Sequence, residues 1–293
     1  MTLPTLPLLL AIGVAAPIGA QTGSDIWLAD VVARGDTLAL TNVRRVTDRP
    51  GYDNQPRFTG DGRAILYTSY RDGQADIWRY DLAAGTHTVV TATPESEYSA
   101  TQVPGGSGRI AVVRVEADST QRLWTFGANG SDPQLLAPDL RGVGYYAWMP
   151  NNYLVAFIVG DTTRLEMVDL TTGDRHVITH NIGPTFHVVP EDPSVLFVVR
   201  DGDQSQLVAW SPIDPDNPLS LGPLPGGPYF AFDPDRNVLL APDGGGILAL
   251  STANPEPGFR PVPGLEGLNL LAITRMALSP DGSRLAFVAA EPN

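Results

Sequence analysis

Two groups of residues in this sequence have the types and spacing to do chemistry. His176 and His180 stand four apart with His187 close behind. On extended backbone, residues at even spacing share a face, so two of these imidazoles, with the third nearby, could imitate a metal cluster. Asp72-Gly73-Gln74-Ala75-Asp76, Asp201-Gly202-Asp203 and Asp214-Pro215-Asp216-Asn217 place several oxygens on short stretches, the donor type that calcium prefers. None has the Gly and closing Glu of an EF-hand loop, and Asp-Gly pairs are also what hairpin tips require. Gly105-Gly106-Ser107-Gly108 runs into Arg109, so no Gly-x-Ser-x-Gly nucleophile elbow exists. From these readings no catalytic residue is assigned and no metal site is expected. No cofactor is expected either, calcium in one of the acidic loops being the single candidate.

Composition removes further chemistries. The 293 residues contain no Cys, and all 19 basic residues are Arg, so the chain has no Lys. Schiff-base catalysis, the phosphate-loop Lys, thiol nucleophiles, thiolate zinc sites and Cys-ligated clusters are thereby excluded. A formal net charge of -13, with scattered arginines, argues against nucleic acid, whose affinity for proteins comes mainly from clustered cations. With 43% apolar and 17% charged residues, the composition is that of a globular protein able to bury a core.

Residues 2–20 hold no charge and contain an apolar run from Leu8 to Ala16, then Gly19 and Ala20 before polar Gln21. That is the grammar of a cleaved signal peptide, although the Met amino group is its only positive charge. Pro4, Pro7 and Pro17 argue against a long membrane helix, so no stable membrane span is expected after cleavage. A signal peptide over 1–20 and a single domain over 21–293 are the expected organisation.

After residue 21 no long stretch carries helical periodicity. Short apolar runs such as Ala64 to Tyr67, Ile110 to Val113, Leu154 to Val159, Val195 to Val199, Val238 to Leu240 and Leu285 to Val288 read as strands. Each follows a turn cluster: Gly60-Asp61-Gly62, Gly106-Ser107-Gly108, Pro150-Asn151-Asn152, Pro190 to Pro193, Pro234-Asp235-Arg236 and Pro280-Asp281-Gly282. The turns recur every 42 to 47 residues, the length of a four-stranded propeller blade. A third strand is stamped most clearly by Ala75-Asp76-Ile77-Trp78-Arg79-Tyr80-Asp81-Leu82, and a fourth closes each unit.

Five units are complete and a sixth is divided between the ends of the chain. Ser24-Asp25-Ile26-Trp27-Leu28-Ala29-Asp30-Val31 copies the third-strand stamp and Arg44-Arg45-Val46-Thr47 a fourth strand, with nothing before them to serve as first and second. Thr274 to Leu278 and Arg284 to Ala289 supply those two strands. The fold class expected is therefore all-β: a six-bladed β-propeller of four-stranded blades, closed by N- and C-terminal strands sharing one blade. Such closure removes exposed sheet edges.

Asn54-Gln55-Pro56-Arg57-Phe58-Thr59-Gly60-Asp61-Gly62-Arg63-Ala64-Ile65-Leu66-Tyr67, followed by Tyr70 to Trp78, resembles the WD40-like repeat of TolB-type β-propellers, and Leu278 to Val288 is similar to its other best-kept element. The resemblance spans nearly all of the chain after residue 21 and implies the fold and an extracytoplasmic setting, periplasmic or secreted. TolB's additional N-terminal α/β domain has no expected counterpart here, and neither does the peptidase domain that such propellers cap in prolyl oligopeptidase relatives.

Placed on this architecture, Tyr52, Tyr98, Tyr145, Tyr146, Phe186, Tyr229 and Phe230 precede or open successive innermost strands. They would gather at one mouth of the channel, where rigid amphipathic rings favour peptides or sugars, or else pack between blades. Gln55, Gln102, Tyr145, Phe186 or His187, Tyr229 and Arg275 enter those strands and do not make the carboxylate ring of a metal-dependent lactonase. The candidate ligand-binding residues are thus Tyr52, Gln55, Tyr98, Tyr145, Tyr146, His187, Tyr229 and Arg275. The five Trp are read as core. The functional expectation is a monomeric, exported, non-catalytic module of the cell envelope that binds a protein, peptide or carbohydrate. The alternative is a channel-site enzyme, a metal-dependent lactonase or hydrolase or a carbohydrate-active lyase.

Overall fold

A computed structural model describes residues 23–34, 37–190 and 192–290. The expected signal peptide lies outside the described residues. The chain enters through β1 (Ser24–Arg34) and β2 (Thr37–Arg45). It then makes a first complete blade from β3 (Asp53–Phe58), β4 (Ala64–Arg71), β5 (Gln74–Asp81) and β6 (Thr86–Val89). The second blade is β7 (Ser96–Gln102), β8 (Arg109–Val115), β9 (Gln121–Gly127) and β10 (Gln134–Leu136). The third is β11 (Val143–Met149), β12 (Tyr153–Ile158), β13 (Arg164–Asp169) and β14 (Arg175–His180). The fourth is β15 (Ile182–Val188), β16 (Val195–Asp201), β17 (Gln204–Ser211) and β18 (Asp214–Pro223). The fifth is β19 (Ala231–Asp233), β20 (Val238–Asp243), β21 (Gly246–Ser251) and β22 (Arg260–Pro261), after which β23 (Met276–Leu278) and β24 (Arg284–Ala290) end the described chain. Every sheet is antiparallel with four strands, and the sixth runs in the order β2-β1-β24-β23.

The apolar runs are continuous because each blade is covered on both faces, so there is no solvent face to demand alternation. Ile26, Leu28, Ala286 and Val288 of the shared blade pack against Ile65, Tyr67 and Tyr80 of the first blade. From its other face Ala29, Val31, Leu285 and Phe287 meet Leu240, Ile247 and Ile273 around the fifth. Four further clusters fill the remaining blade-to-blade interfaces, so the core is a ring of six clusters. The closing pairing runs without a bulge from Ser24 opposite Ala290 to Asp30 opposite Arg284.

The Asp-Ile-Trp stamp has a physical reason. In the shared blade the Ile26 amide donates to the Thr47 hydroxyl (2.9 Å), while the Val46 amide donates back to the Ile26 carbonyl (2.7 Å). In the first blade Ile77 does the same with Thr91 (2.9 Å) and Val90 (2.7 Å). Asp25, buried, accepts from Thr47 (2.9 Å) and from the Arg45 Nε (2.8 Å). The turn stamp is equally mechanical. Asp281 accepts from the Ser279 hydroxyl (2.5 Å) and the Ser283 amide (3.0 Å), and Asp61 accepts likewise from Thr59 (2.6 Å) and the Arg63 amide (3.1 Å). These donors hold the Asp281 carboxyl at about 2, below the ordinary carboxylate range.

Four of the five Trp occupy the expected third strands, and Trp148 instead lies on an innermost strand, where its indole donates to Thr101 (2.9 Å).

If the shared blade is as integral as the others, truncating its core must cost as much as truncating any other. Phe287 is fully buried, and Phe157 holds the equivalent strand of the third blade. Phe287→Ala is expected to lose about 3–5 kcal/mol in denaturant unfolding, matching Phe157→Ala. A loss under about 1 kcal/mol at Phe287 alone would show the seam to be peripheral.

Candidate functional site

An innermost strand turns every second side chain toward the propeller axis. From β3 these are Gln55 and Arg57, from β7 Ser99 and Thr101, from β11 Tyr145, from β15 Thr185 and His187, and Arg275 comes from the segment entering β23. Together they line a channel cavity, to which Pro56, Tyr146, Pro184, Phe186 and Met276 also contribute. A second cavity opens on the side of the Ser-Pro-Asp-Gly turns, where Asp233, Ser279 and Pro280 join Arg57 and His187. The two enclose about 570 and 580 Å³, open solvent at the mouths included. Arg57 and His187 belong to both, so they form the waist between them.

Backbone irregularity positions this wall. Pairing slips between Asn54 and Arg57, Tyr98 and Thr101, Val143 and Tyr145, and Ile182 and Phe186, the same height in four successive blades. Bulges re-aim side chains, and here two non-glycine residues, Gln55 (φ 57°) and Ser99 (φ 55°), take left-handed backbone at the bulge. Gln55 is held there because its carboxamide oxygen accepts from the Thr68 hydroxyl (2.8 Å) and from the Ser99 amide (2.8 Å) of the next blade.

Arg275 crosses the bore. Its Nη2 donates to the Tyr145 hydroxyl at 2.5 Å, linking the sixth blade to the third, opposite in the ring. Its guanidinium lies 4.5 Å from the Tyr145 ring centre and 5.5 Å from that of Tyr229, within cation–π range. Burial raises the Tyr52 pKa, and the nearby Arg275 charge opposes that rise.

The remaining sequence candidates separate. Tyr145, Tyr146, Phe186 and Phe230 are all buried in blade-to-blade clusters, and the first three also border the cavity, so the aromatic residues pack between blades and line the channel at once. The Tyr146 hydroxyl donates to the Ala111 carbonyl (2.5 Å) and lies 2.9 Å from the Thr101 hydroxyl. Gln102 does not enter the channel. Its carboxamide accepts from the Gly60 amide (2.7 Å) at the turn end, because the bulge shifts β7 so that Ser99 takes the channel place. His176 and His180 sit on β14, the outermost strand of the third blade, whereas His187 sits on the innermost strand of the fourth. The possible histidine cluster is therefore not assembled. Among the described residues no three His, Cys, Asp or Glu come together as metal ligands. Asp72 and Gly73 both take positive φ at the tip joining β4 to β5, as a tight hairpin requires. Arg57, Ser99, Thr101 and Thr185 were absent from the sequence candidates, and the signal for Arg57 was its place two residues after Gln55 on one strand.

Comparison with known proteins follows this geometry. No family model matches the sequence. The chain is 47% identical over 45 residues to the Tol-Pal system protein TolB of Bordetella pertussis, a stretch covering 15% of this chain and 10% of that protein. A solved structure described as TolB from Agrobacterium tumefaciens superposes with a TM-score of 0.68 at 15% identity, covering 92% of this chain and 99% of that one. Oligogalacturonate lyase from Vibrio parahaemolyticus superposes with a TM-score of 0.55 at 12% identity, covering 88% and 84%. The chain is a TolB-like six-bladed β-propeller.

At the waist of this TolB-like propeller His187 is neutral. Burial, then the charge of Arg57, push its pKa down to about 4, while Nε2 lies 3.1 Å from the Phe230 carbonyl. That contact places the proton on Nε2 and leaves Nδ1 as an acceptor. Because the folded pKa lies below the ordinary 6.5, the unfolded chain takes up a proton between pH 6.5 and 4 that the folded chain refuses. The His187 contribution is complete above about pH 6.5 and is lost as pH falls toward 4. Glu97 acts oppositely. Burial raises its carboxyl to about 7 despite the Thr93 hydroxyl at 2.5 Å and Arg114 at 3.4 Å. Its stabilisation is complete below about pH 4.5 and lost as pH rises through 7. His187→Gln should therefore flatten the acid limb of a pH–stability profile, and Glu97→Gln should remove the decline toward pH 7. In the parent protein the His187 ring resonances should stay constant in NMR from pH 8 to 5.5.

Proposed function

We propose that this chain is an exported, non-catalytic binding module of the cell envelope, working as a monomer, with its ligand held at the channel mouth by Tyr52, Gln55, Tyr98, Tyr145, Tyr146, His187, Tyr229 and Arg275. The observation that carries the reading is the wall itself. Tyr145 and Tyr229 flank a guanidinium that spans opposite blades, and no lining residue of that cavity is Asp or Glu. Ser99 and His187 share the cavity without a hydrogen bond to each other, so no base-activated nucleophile is set up. The arrangement recognises shape and donors and does no bond-breaking. The 45-residue stretch that is 47% identical to a Tol-Pal system protein supports an envelope setting and a protein partner, and the apolar run from Leu8 to Ala16 followed by Gly19 and Ala20 supports export. Among the described residues no helix is long and apolar enough to cross a membrane. The metal-dependent alternative would need a ligand cluster that the described residues do not assemble.

Site-specific photocross-linking in the native cell tests the reading. A photoreactive residue replacing Tyr229 at the channel mouth should give a reproducible adduct, and one replacing Ile213, 81% exposed on the outer rim, should not. Adducts from position 213 alone, or turnover of a lactone or glycoside by the purified chain, would contradict it.

A further inference from the structure

Among the described residues several half-buried arginines have a carboxylate beside them: Arg49 with Asp53, Arg79 with Asp81, Arg109 with Asp132, Arg114 with Glu95 and Glu97, and Arg164 with Glu166. The two arginines of the channel, like Arg71 and Arg284 on the periphery of their blades, lack such a partner, and they alone among these line a cavity together. Neither Arg57 nor Arg275 makes an ion pair among the described residues. Among the described residues Arg275 donates only to the Tyr145 hydroxyl and the Arg57 side chain makes no hydrogen bond. Arg275 also lies near enough to Arg57 to oppose its charge. Two like charges that line one protein-walled cavity, with donors left over and no carboxylate on its wall, favour an anion between them. A guanidinium presents five N–H donors in a fork that matches a carboxylate or phosphate edge. A third donor is nearby. Ser99 lines the same cavity, and its buried hydroxyl finds no hydrogen-bond partner among the described residues.

We propose that the channel holds a small oxyanion between the guanidiniums of Arg57 and Arg275, with the Ser99 hydroxyl completing its coordination. This deepens the binding-module reading and rests on it. The recognised chemistry is a single oxyanionic group, a free inorganic anion or the carboxylate of a small organic molecule. Polyanions are disfavoured because the chain as a whole carries a formal charge of -13 and repels them at a distance. The anion would share the Arg275 donors with Tyr145, so occupancy bears directly on the strut that spans the bore. Neutral His187 on the opposite wall does not oppose it with a carboxylate, and its proton is already committed to the Phe230 carbonyl.

Isothermal titration of the purified chain with inorganic phosphate and, separately, with citrate, each against chloride at equal ionic strength, tests the site. Saturable one-to-one binding of either probe is expected, phosphate alone marking an inorganic anion and citrate alone a carboxylate ligand. Arg57→Gln and Arg275→Gln should each weaken it at least about tenfold, with Arg57→Lys falling between parent and Gln variant because it keeps charge but loses the fork. Thermal melts in chloride separate lost binding from lost fold, and the Gln variants should melt as the parent does. Ser99→Ala provides a variant that leaves both charges in place and should weaken binding by a smaller factor. Absence of saturable binding by both probes, or binding that survives unchanged in folded Arg57→Gln and Arg275→Gln, would overturn the site. The binding-module reading is tested separately by the cross-linking, which an empty anion site would leave untouched.

Discussion

Pairing of β1 with β24 is the constraint on which the rest of the molecule depends. Each blade buries both faces, so no blade is stable without neighbours on two sides, and a ring of such units is complete only when its last interface forms. Here that interface is assembled from the two ends of the described chain, and the sheet that joins them touches the first blade through Ile26 and Val288 and the fifth through Val31 and Phe287. The same pairing sets the channel. Arg275 enters from the strand next to β24, and its reach to Tyr145 is a distance across a ring whose diameter closure fixes.

The architecture was legible because it is written in repetition. Turn clusters every 42 to 47 residues and the stamps around Asp25-Ile26-Trp27 and Asp76-Ile77-Trp78 each mark one hydrogen-bond device, reused at the same place in the blade. Even the divided blade could be read, since its halves carry complementary parts of the same pattern. The channel wall was only partly legible. Strand alternation places Gln55, Tyr145, His187 and Arg275 toward the axis, but the bulges that decide which neighbour joins them leave little trace in one sequence. At β7 the slip brings in Ser99 and puts Gln102 at the turn end, and nothing about the residue types between Glu97 and Gln102 announces it. Among aromatics the outcome was undecidable from spacing: adjacent Tyr145 and Tyr146 both border the cavity, and they pack into the clusters on opposite faces of the third blade.

Charge is segregated in a way that composition conceals. The acidic excess lies mainly in surface turns, because buried carboxylates such as Asp25, Glu166 and Asp233 already have an arginine. At the centre two guanidiniums without an ion pair among the described residues share a cavity with Tyr145, Tyr146, Ser99 and a neutral His187. A net charge of -13 thus surrounds a cationic bore. The functional consequence is selectivity by location: the outer surface repels the bulk of anionic polymers, while the bore offers donors to one anionic group that fits.

Closure is tested most directly by native-state hydrogen exchange, because it reads the opening free energy of single amides without altering any residue. If the ring unfolds as one unit, amides paired between β1 and β24 should open with the same free energy, within about 1 kcal/mol, as those between β12 and β13 of the third blade. Exchange of the β1–β24 amides through a separate opening several kcal/mol cheaper, while the third blade stays protected, would show that the propeller stands without its seam and would contradict this account.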